Sequence, residues 1–359
     1  MTAYLITTNY PPIGGGVSRY NYGLVRAGAP RIKVPGWGQG EPPPVGEGIG
    51  ARILQTLWAR RVSLSLPKGS RLLASQPHLG VGCWLARRPF VQFVHGGEWE
   101  NYPMGRFLFQ ALLKRSQLSV FNSEATLRRL TRASRRGSHL VLKPGLSEVT
   151  PVGLPKGNIG EPVSQREPSF RVLAVSRLSP RKGHKRLISA VEKCHASGLN
   201  ITLRIVGSGE IGVELGALVS NLKFVTLDSG LTDAELQNAY DEADVFALLP
   251  EEIRGREAWE GFGIVFLEAA ARGLPILATN SGGIPEATCA DGAILLSETC
   301  GEQEIAEALH RLAEDVELRM QMSEANIGWA KRNTWSARAN QLDEIMTKAG
   351  GAVSHGPRR

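Results

Sequence analysis

At 359 residues the chain exceeds what one hydrophobic core usually supports, so two domains are expected. Its composition, 42% hydrophobic and 21% charged with 41 Gly and 21 Pro, excludes a coiled coil, a collagen and a disordered chain. The net charge of +8 is unevenly spread: residues 1–150 hold 20 Lys and Arg against 6 Asp and Glu, residues 151–359 hold 22 against 28, and the halves carry about +14 and −6.

The N-terminal stretch MTAYLITTNYPPIGGG has no basic leading region, and nowhere do 18 apolar residues run without charge. Neither a signal peptide nor a membrane span is expected, which predicts a cytoplasmic protein. Cys83, Cys194, Cys289 and Cys300 form no C-x-x-C pair and have no histidine at ligand spacing, which predicts reduced thiols and no zinc site.

Short apolar runs occupy residues 3–7, 71–74, 90–94, 118–121 and 139–142, then 171–175, 202–206, 222–226, 244–249, 275–278 and 293–296. Many end in a Gly, Pro or polar cluster and precede a helix-like stretch. This βαβ rhythm predicts an α/β fold of parallel sheets with helices on both faces. Residues 147–169, rich in Pro, Gly and Ser, lack apolar periodicity. They break the chain into domains at 1–150 and 170–334 joined by a linker at 151–169, each domain long enough for one doubly wound sheet. Ligands of such sheets sit beyond the carboxyl ends of the strands, so the strand-to-loop junctions carry the chemistry.

In chain order, the first strand runs into Gly14, Gly15 and Gly16 ahead of an amphipathic run. Glycines there either bring backbone N–H groups close to an anion at a helix N-terminus or make a flexible turn. ARILQTLWARR (51–61) and SEATLRRLTRASRR (123–136) set cations beside apolar residues at helical spacing. Between them the run PFVQFV ends on His95. An imidazole leaving a buried strand either donates to a sugar hydroxyl or a developing charge, or is a hydrogen-bonded structural group.

The strand after the linker stops at Ser176 and is followed by Arg177, Arg181, Lys182, His184, Lys185 and Arg186. Arg177 and Lys182, at the top of a strand and ahead of a helix, suit a diphosphate; a solvated basic turn is the plain alternative. Gly207, Gly209 and Gly212, with Asp228 beyond them, spell a dinucleotide fingerprint and hence a rival reading as an NAD-dependent oxidoreductase. That motif does not follow the first strand of its domain, and it leaves Arg177 and Lys182 without a role. The next junction predicts Glu260 in the loop before a helix and Glu268 two turns into it. Gly261 and Gly263 open that helix, and the N–H groups around Phe262, Gly263 and Ile264 would point at phosphate. Glu268 has the acceptor capacity for both hydroxyls of a ribose. An ordinary loop glutamate and an exposed helical one satisfy the same spacing.

Six motifs in order, GGGVSRY, HGGEW, VSRLSPRKGH, VGSGE, LTDAELQNAYDEADVFALLP and EGFGIVFLEAAARGLPILATNSGGIPE, together resemble the family 4 retaining glycosyltransferases, most densely over residues 171–290. The resemblance implies a GT-B fold, two Rossmann-like domains facing across a cleft. It also implies a tryptophan-led C-terminal helix within 335–359 that crosses back to the N-terminal domain. By this resemblance Arg177 and Lys182 bind the donor diphosphate, Glu260 lies near the donor sugar, and Glu268 lies on the ribose. His95 lies near the transferred sugar, and Gly15 and Gly16 approach the phosphates.

The implied reaction moves a hexosyl group with retention from a UDP- or GDP-sugar to a glycan, lipid-linked or small-molecule acceptor. It implies no metal, and no cofactor beyond the nucleotide-sugar co-substrate. A nucleotide-sugar epimerase on the same fold is the nearest enzymatic rival. Two departures stand out: residues 251–259, with Arg254 and Arg256, run longer than in the family, and TLDSGLTD lacks the usual glycine of the base-binding turn. The basic first half then suits peripheral contact with an anionic membrane on its inner face, or simply a solvated basic face on helices packed against a sheet. No aromatic-interleaved basic patch points to nucleic acid.

Overall fold

The computed structural model describes residues 2–11, 13, 15–28, 31–37, 40–46, 48–97, 105–131, 138–146, 169–252 and 259–348. The chain divides into two compact units, Met1–Ser147 with Thr334–Arg359, and Glu148–Asn333. The expected linker at 151–169 lies outside the described residues except for Ser169, as do Arg254, Arg256 and residues 349–359.

The first unit runs β1 (Ala3–Ile6), α1 (Gly16–Gly28), β2 (Ile32–Lys33), α2 (Ile49–Ser65), β3 (Arg71–Ala74), α3 (Pro77–Leu85), β4 (Phe90–Val94), α4 (Gly105–Arg115), β5 (Leu118–Phe121), α5 (Glu124–Thr131) and β6 (His139–Val141). Its strands pair in parallel in the order β2-β1-β3-β4-β5-β6. Every residue of FVQFV in β4 and of LSVF in β5 is buried, as a parallel sheet covered on both faces requires.

The second unit runs β7 (Phe170–Val175), α6 (His184–Ala196), β8 (Ile201–Val206), α7 (Gly212–Val219), β9 (Val225–Asp228), α8 (Asp233–Glu242), β10 (Val245–Leu248), α9 (Ile264–Ala271), β11 (Ile276–Thr279), α10 (Ile284–Ala287), β12 (Ala293–Leu296), α11 (Glu302–Glu314) and α12 (Val316–Arg332). The order β12-β11-β10-β7-β8-β9 is that of a doubly wound nucleotide-binding sheet. Local chemistry starts its helices where the sequence says. Thr232 caps α8 by accepting from the Glu235 backbone N–H while the Glu235 carboxylate accepts from the Thr232 N–H, a reciprocal box worth about 1 kcal/mol. The fully buried Asp244 carboxylate accepts from the Arg171 backbone N–H at 2.8 Å and from its guanidinium, which ties the start of β7 to β10.

After α12 the chain rejoins the first unit. Leu146 bridges Thr334 in parallel, the Trp335 N–H donates to the Leu146 carbonyl, and Trp335 meets the Tyr20 ring at 5.1 Å. The final helix, α13 (Ala339–Lys348), buries Leu342, Ile345 and Met346.

Candidate active site

In a doubly wound sheet the ligand crevice opens where neighbouring strands send their connections in opposite directions. In the second unit that point lies between β7 and β10. The loop after β7 carries Arg177, Arg181 and Lys182, and the loop after β10 carries Glu260. Two backbone contacts hold these loops together, and a third ties Glu260 to the loop after β11. The Glu251 N–H donates to the Arg181 carbonyl at 2.9 Å, and the Gly283 N–H donates to the Glu260 carbonyl at 2.8 Å. Gly183 sits at φ +71°, with its Cα so close to β10 that a Cβ would lie 2.1 Å from the Leu249 carbonyl oxygen. Gly183→Ala is therefore expected to lower stability by about 1–3 kcal/mol, and to reduce transfer by shifting the adjacent Lys182. A thermal melt beside a transfer assay checks both.

Lys182 Nζ donates to Glu260 Oε2, and Arg181 Nη1 donates to the same oxygen at 3.1 Å. The Lys182 and Glu260 side chains are nearly buried. Burial alone would raise the Glu260 carboxyl, but Lys182 and then Arg181 overcome it and hold the group down at about 2. Burial pulls Lys182 below the ordinary lysine range, opposed by Glu260 and assisted by Arg181 and Arg177. Arg177 is exposed and makes no ion pair among the described residues. Three cations thus stand against one carboxylate, an excess of two positive charges matched to a diphosphate.

The rest of the basic run is structural. His184 is buried and bonds Ser176 Oγ at 2.9 Å, Lys185 pairs with Glu214 at the surface, and Arg186 clamps the carbonyls of Leu249 and Glu298. Arg181 was the functional candidate hidden in that run: its partner lies 79 residues away, and only the packing of the β7 and β10 loops reveals it.

Gly263 caps α9 at φ +92°, so the helix starts at Ile264 and Glu268 sits one turn in, a correction to the expected two. Gly261 and Phe262 are buried, and Gly263 and Ile264 are half-buried. Glu268 accepts from the Tyr240 hydroxyl at 3.1 Å, so α8 orients its carboxylate. The dinucleotide fingerprint is packing. A Cβ on Gly207 would lie 1.9 Å from the Ser176 carbonyl oxygen, and one on Gly209 would lie 2.2 Å from that of Leu178. Both positions are glycine because the backbone of the neighbouring β7 loop packs directly against them, a structural reason independent of any dinucleotide.

Gly15, Gly16 and His95 belong to the first unit. Gly15, at φ +106°, and Gly16 have open space where side chains would stand, at the start of α1. His95 follows β4, its carbonyl accepting from Asn122 Nδ2 at 2.7 Å and its ring meeting the Tyr20 edge at 4.7 Å. Asn122 was not singled out from sequence. It is fixed in turn by Thr126, whose hydroxyl donates to Asn122 Oδ1, within FNSEAT. Burial lowers His95 to about 4, with a backbone bond to Ser75 opposing, so the ring is neutral at pH 7.

Burial also lowers His78 and His184 to about 4. A folded-state value below the unfolded 6.5 means stability that is complete above pH 6.5 and lost as pH falls towards 4. The loss has a slope of up to about 1.4 kcal/mol per pH unit for each histidine. Melts from pH 7.5 to 4.5 should be flat and then fall; a Tm unchanged down to pH 4.5 contradicts this.

Two Rossmann-like units, the second with a cationic, carboxylate-bearing switch point, define a protein of GT-B architecture. Residues 158–329 match the family Glycosyl transferases group 1. The chain is 29% identical over 380 residues to a GDP-mannose-dependent alpha-(1-6)-phosphatidylinositol monomannoside mannosyltransferase of Mycolicibacterium smegmatis, covering 96% of this chain and 97% of that one. A GDP-mannose-dependent monoacylated alpha-(1-6)-phosphatidylinositol monomannoside mannosyltransferase of Corynebacterium glutamicum is 34% identical over 176 residues, 48% of this chain and 45% of that one. The crystal structure of Anabaena HepE in complex with UDP-glucose superposes with a TM-score of 0.76 at 20% identity over 96% of this chain and 99% of that one. The match to the Glycosyl transferases group 1 model spans just under half of the chain, and together with these relatives it supports glycosyl transfer from a nucleotide sugar.

Proposed function

We propose that the protein transfers a hexosyl group with retention and without a metal ion, from GDP-mannose as the first candidate donor and UDP-glucose as the second. The acceptor is a glycan, small molecule or lipid-linked glycoconjugate held by the first unit. The buried Lys182–Glu260–Arg181 cluster beside exposed Arg177 carries this reading. As the bond from anomeric carbon to phosphate oxygen lengthens, negative charge gathers on the leaving diphosphate. Arg177 and Lys182 supply fixed positive charge there with no reorganisation. Glu260, ionised throughout the physiological range, keeps Lys182 oriented and faces the donor sugar, while Glu268, steadied by Tyr240, binds the ribose. Neutral His95 serves as a hydrogen-bonding group for the transferred sugar rather than as a cation. The GDP-mannose preference is supported by the names of the relatives, one matching over most of this chain's length and one over about half of it.

A thermal-shift panel of GDP-mannose, UDP-glucose and other nucleotide sugars tests the donor, because a ligand stabilises according to its affinity and concentration. NMR of the product tests the stereochemistry: an α-linked product from an α-linked donor is expected, and a β-linked one overturns retention.

A further inference from the structure

His95 is backed by two rings from distant parts of the chain. On α1, Tyr20 and Gly23 stand three residues apart and so share a face of the helix. The bare Gly23 beside the Tyr20 side chain leaves a slot, and Trp335 fills it: a Cβ on Gly23 would lie 1.8 Å from Trp335 Nε1. The tryptophan is also pinned at its backbone. Its N–H donates to the Leu146 carbonyl, and a Cβ on Gly145 would lie 2.6 Å from the same nitrogen.

Tyr20 stands between Trp335 and His95. Its ring meets the indole at 5.1 Å and the imidazole at 4.7 Å, both edge-on, with Phe93 at 6.1 Å, and its hydroxyl donates to the Leu142 carbonyl at 3.0 Å. Tyr20 and Trp335 are buried, whereas His95 keeps part of its surface open. A ligand can therefore reach His95 but neither ring behind it. The second side-chain torsion of a histidine is broad, so a bond to the Ser75 backbone leaves the imidazole room to swing, and the Tyr20 ring takes that room away.

We infer that Tyr20 and Trp335 are positioning residues for His95: the segment returning after α12 sets the tyrosine ring, and the tyrosine ring sets the imidazole. The inference rests on the role proposed above for His95, and it makes the C-terminal segment a support of that residue. Among the described residues, the titratable groups on this stack besides His95 are the Tyr20 phenol, which burial pushes above its usual range, and Arg338 behind it, drawn down by burial and held up by Tyr20. Neither changes charge in the range where a histidine titrates. No charged side chain among the described residues moves His95; burial and the Ser75 bond do.

The test reads the imidazole directly, by NMR titration of the full chain with the His95 resonance identified by its loss in His95→Gln. Wild-type His95 should stay neutral down to about pH 4. Tyr20→Leu should raise that midpoint towards 6.5, because water then reaches the ring. It should also lower kcat for GDP-mannose, read as GDP released, by roughly tenfold with KM nearly unchanged. Trp335→Phe, which leaves a smaller ring in the slot, should do the same in smaller measure. Tyr20→Phe keeps the ring and loses only the bond to Leu142, so it should melt lower yet titrate and turn over like the wild type. In a His95→Gln background the Tyr20→Leu and Trp335→Phe changes should cost no further kcat, since residues that act through one group are not additive. Variants that melt lower while His95 still titrates at about 4, or that lose kcat in full without His95, overturn the inference. A His95→Gln protein that turns over the donor like the wild type removes the sugar contact proposed for His95, and the titration then decides the positioning by itself.

Discussion

Lys182→Ala is expected to lower kcat/KM by about 2–4 kcal/mol of transition-state stabilisation, roughly thirtyfold to a thousandfold. Two losses add there. The leaving diphosphate loses a nearly buried cation, and Glu260 keeps only Arg181, at 3.1 Å, to hold its orientation. Lys185→Ala, three residues on, is the matched control, because Lys185 is exposed and pairs with Glu214. Removing it should change transfer little. Steady-state kinetics on the two variants separate a placed cation from a generally basic loop, and equal effects would contradict the assignment.

Replacing Glu260 should be felt in both stability and chemistry. Glu260→Gln leaves Lys182 and Arg181 facing a neutral amide in a site that gives them little water, and breaking a buried pair from one side costs about 3–5 kcal/mol. The variant should transfer little sugar while still binding nucleotide diphosphate. It should also gain more thermal stability from GDP than the wild type does, because the bound diphosphate replaces the missing anion. The pH dependence has a definite sign. With the folded carboxyl held at about 2, below its unfolded value, the stabilisation is fully present above pH 4.5 and is lost as pH falls through 2. Between pH 5 and 8 the stability gap between wild type and variant should therefore stay constant. Melts with and without GDP check both points, and equal GDP stabilisation of the two proteins would argue that Glu260 does not compete with the diphosphate for Lys182.

Much of the fold was legible because parallel strands buried on both faces write themselves as unbroken apolar runs, as FVQFV and VFAL do. β2 was not, since two residues between Pro30 and Pro35 make no pattern. β9 was read three residues early. Leu222 and Phe224 extend the apolar run but belong to the turn that packs on the core, and the strand runs on to Asp228, which pairs with Arg204 at 2.7 Å. In the site, residue type and junction pointed to Arg177, Lys182, Glu260 and Glu268. What the sequence could not carry was which cations touch the carboxylate. Arg181, Lys185 and Arg186 look alike in PRKGHKR, yet one meets Glu260, one meets solvent and Glu214, and one ties down backbone carbonyls. The glycine fingerprint at 207–212 misled for the converse reason: its spacing fits a phosphate turn, but Gly207 and Gly209 are there because the β7 loop packs against them.

The central claim, a nucleotide-sugar site at the β7–β10 switch point, is tested most directly by calorimetric titration of GDP and UDP into the wild type, Lys182→Ala and Lys185→Ala. At least one nucleotide should bind the wild type and Lys185→Ala alike, and bind Lys182→Ala roughly thirtyfold more weakly or worse, as the loss of about 2 kcal/mol requires. Equal affinity in all three proteins would contradict the claim, and so would the absence of binding to the wild type.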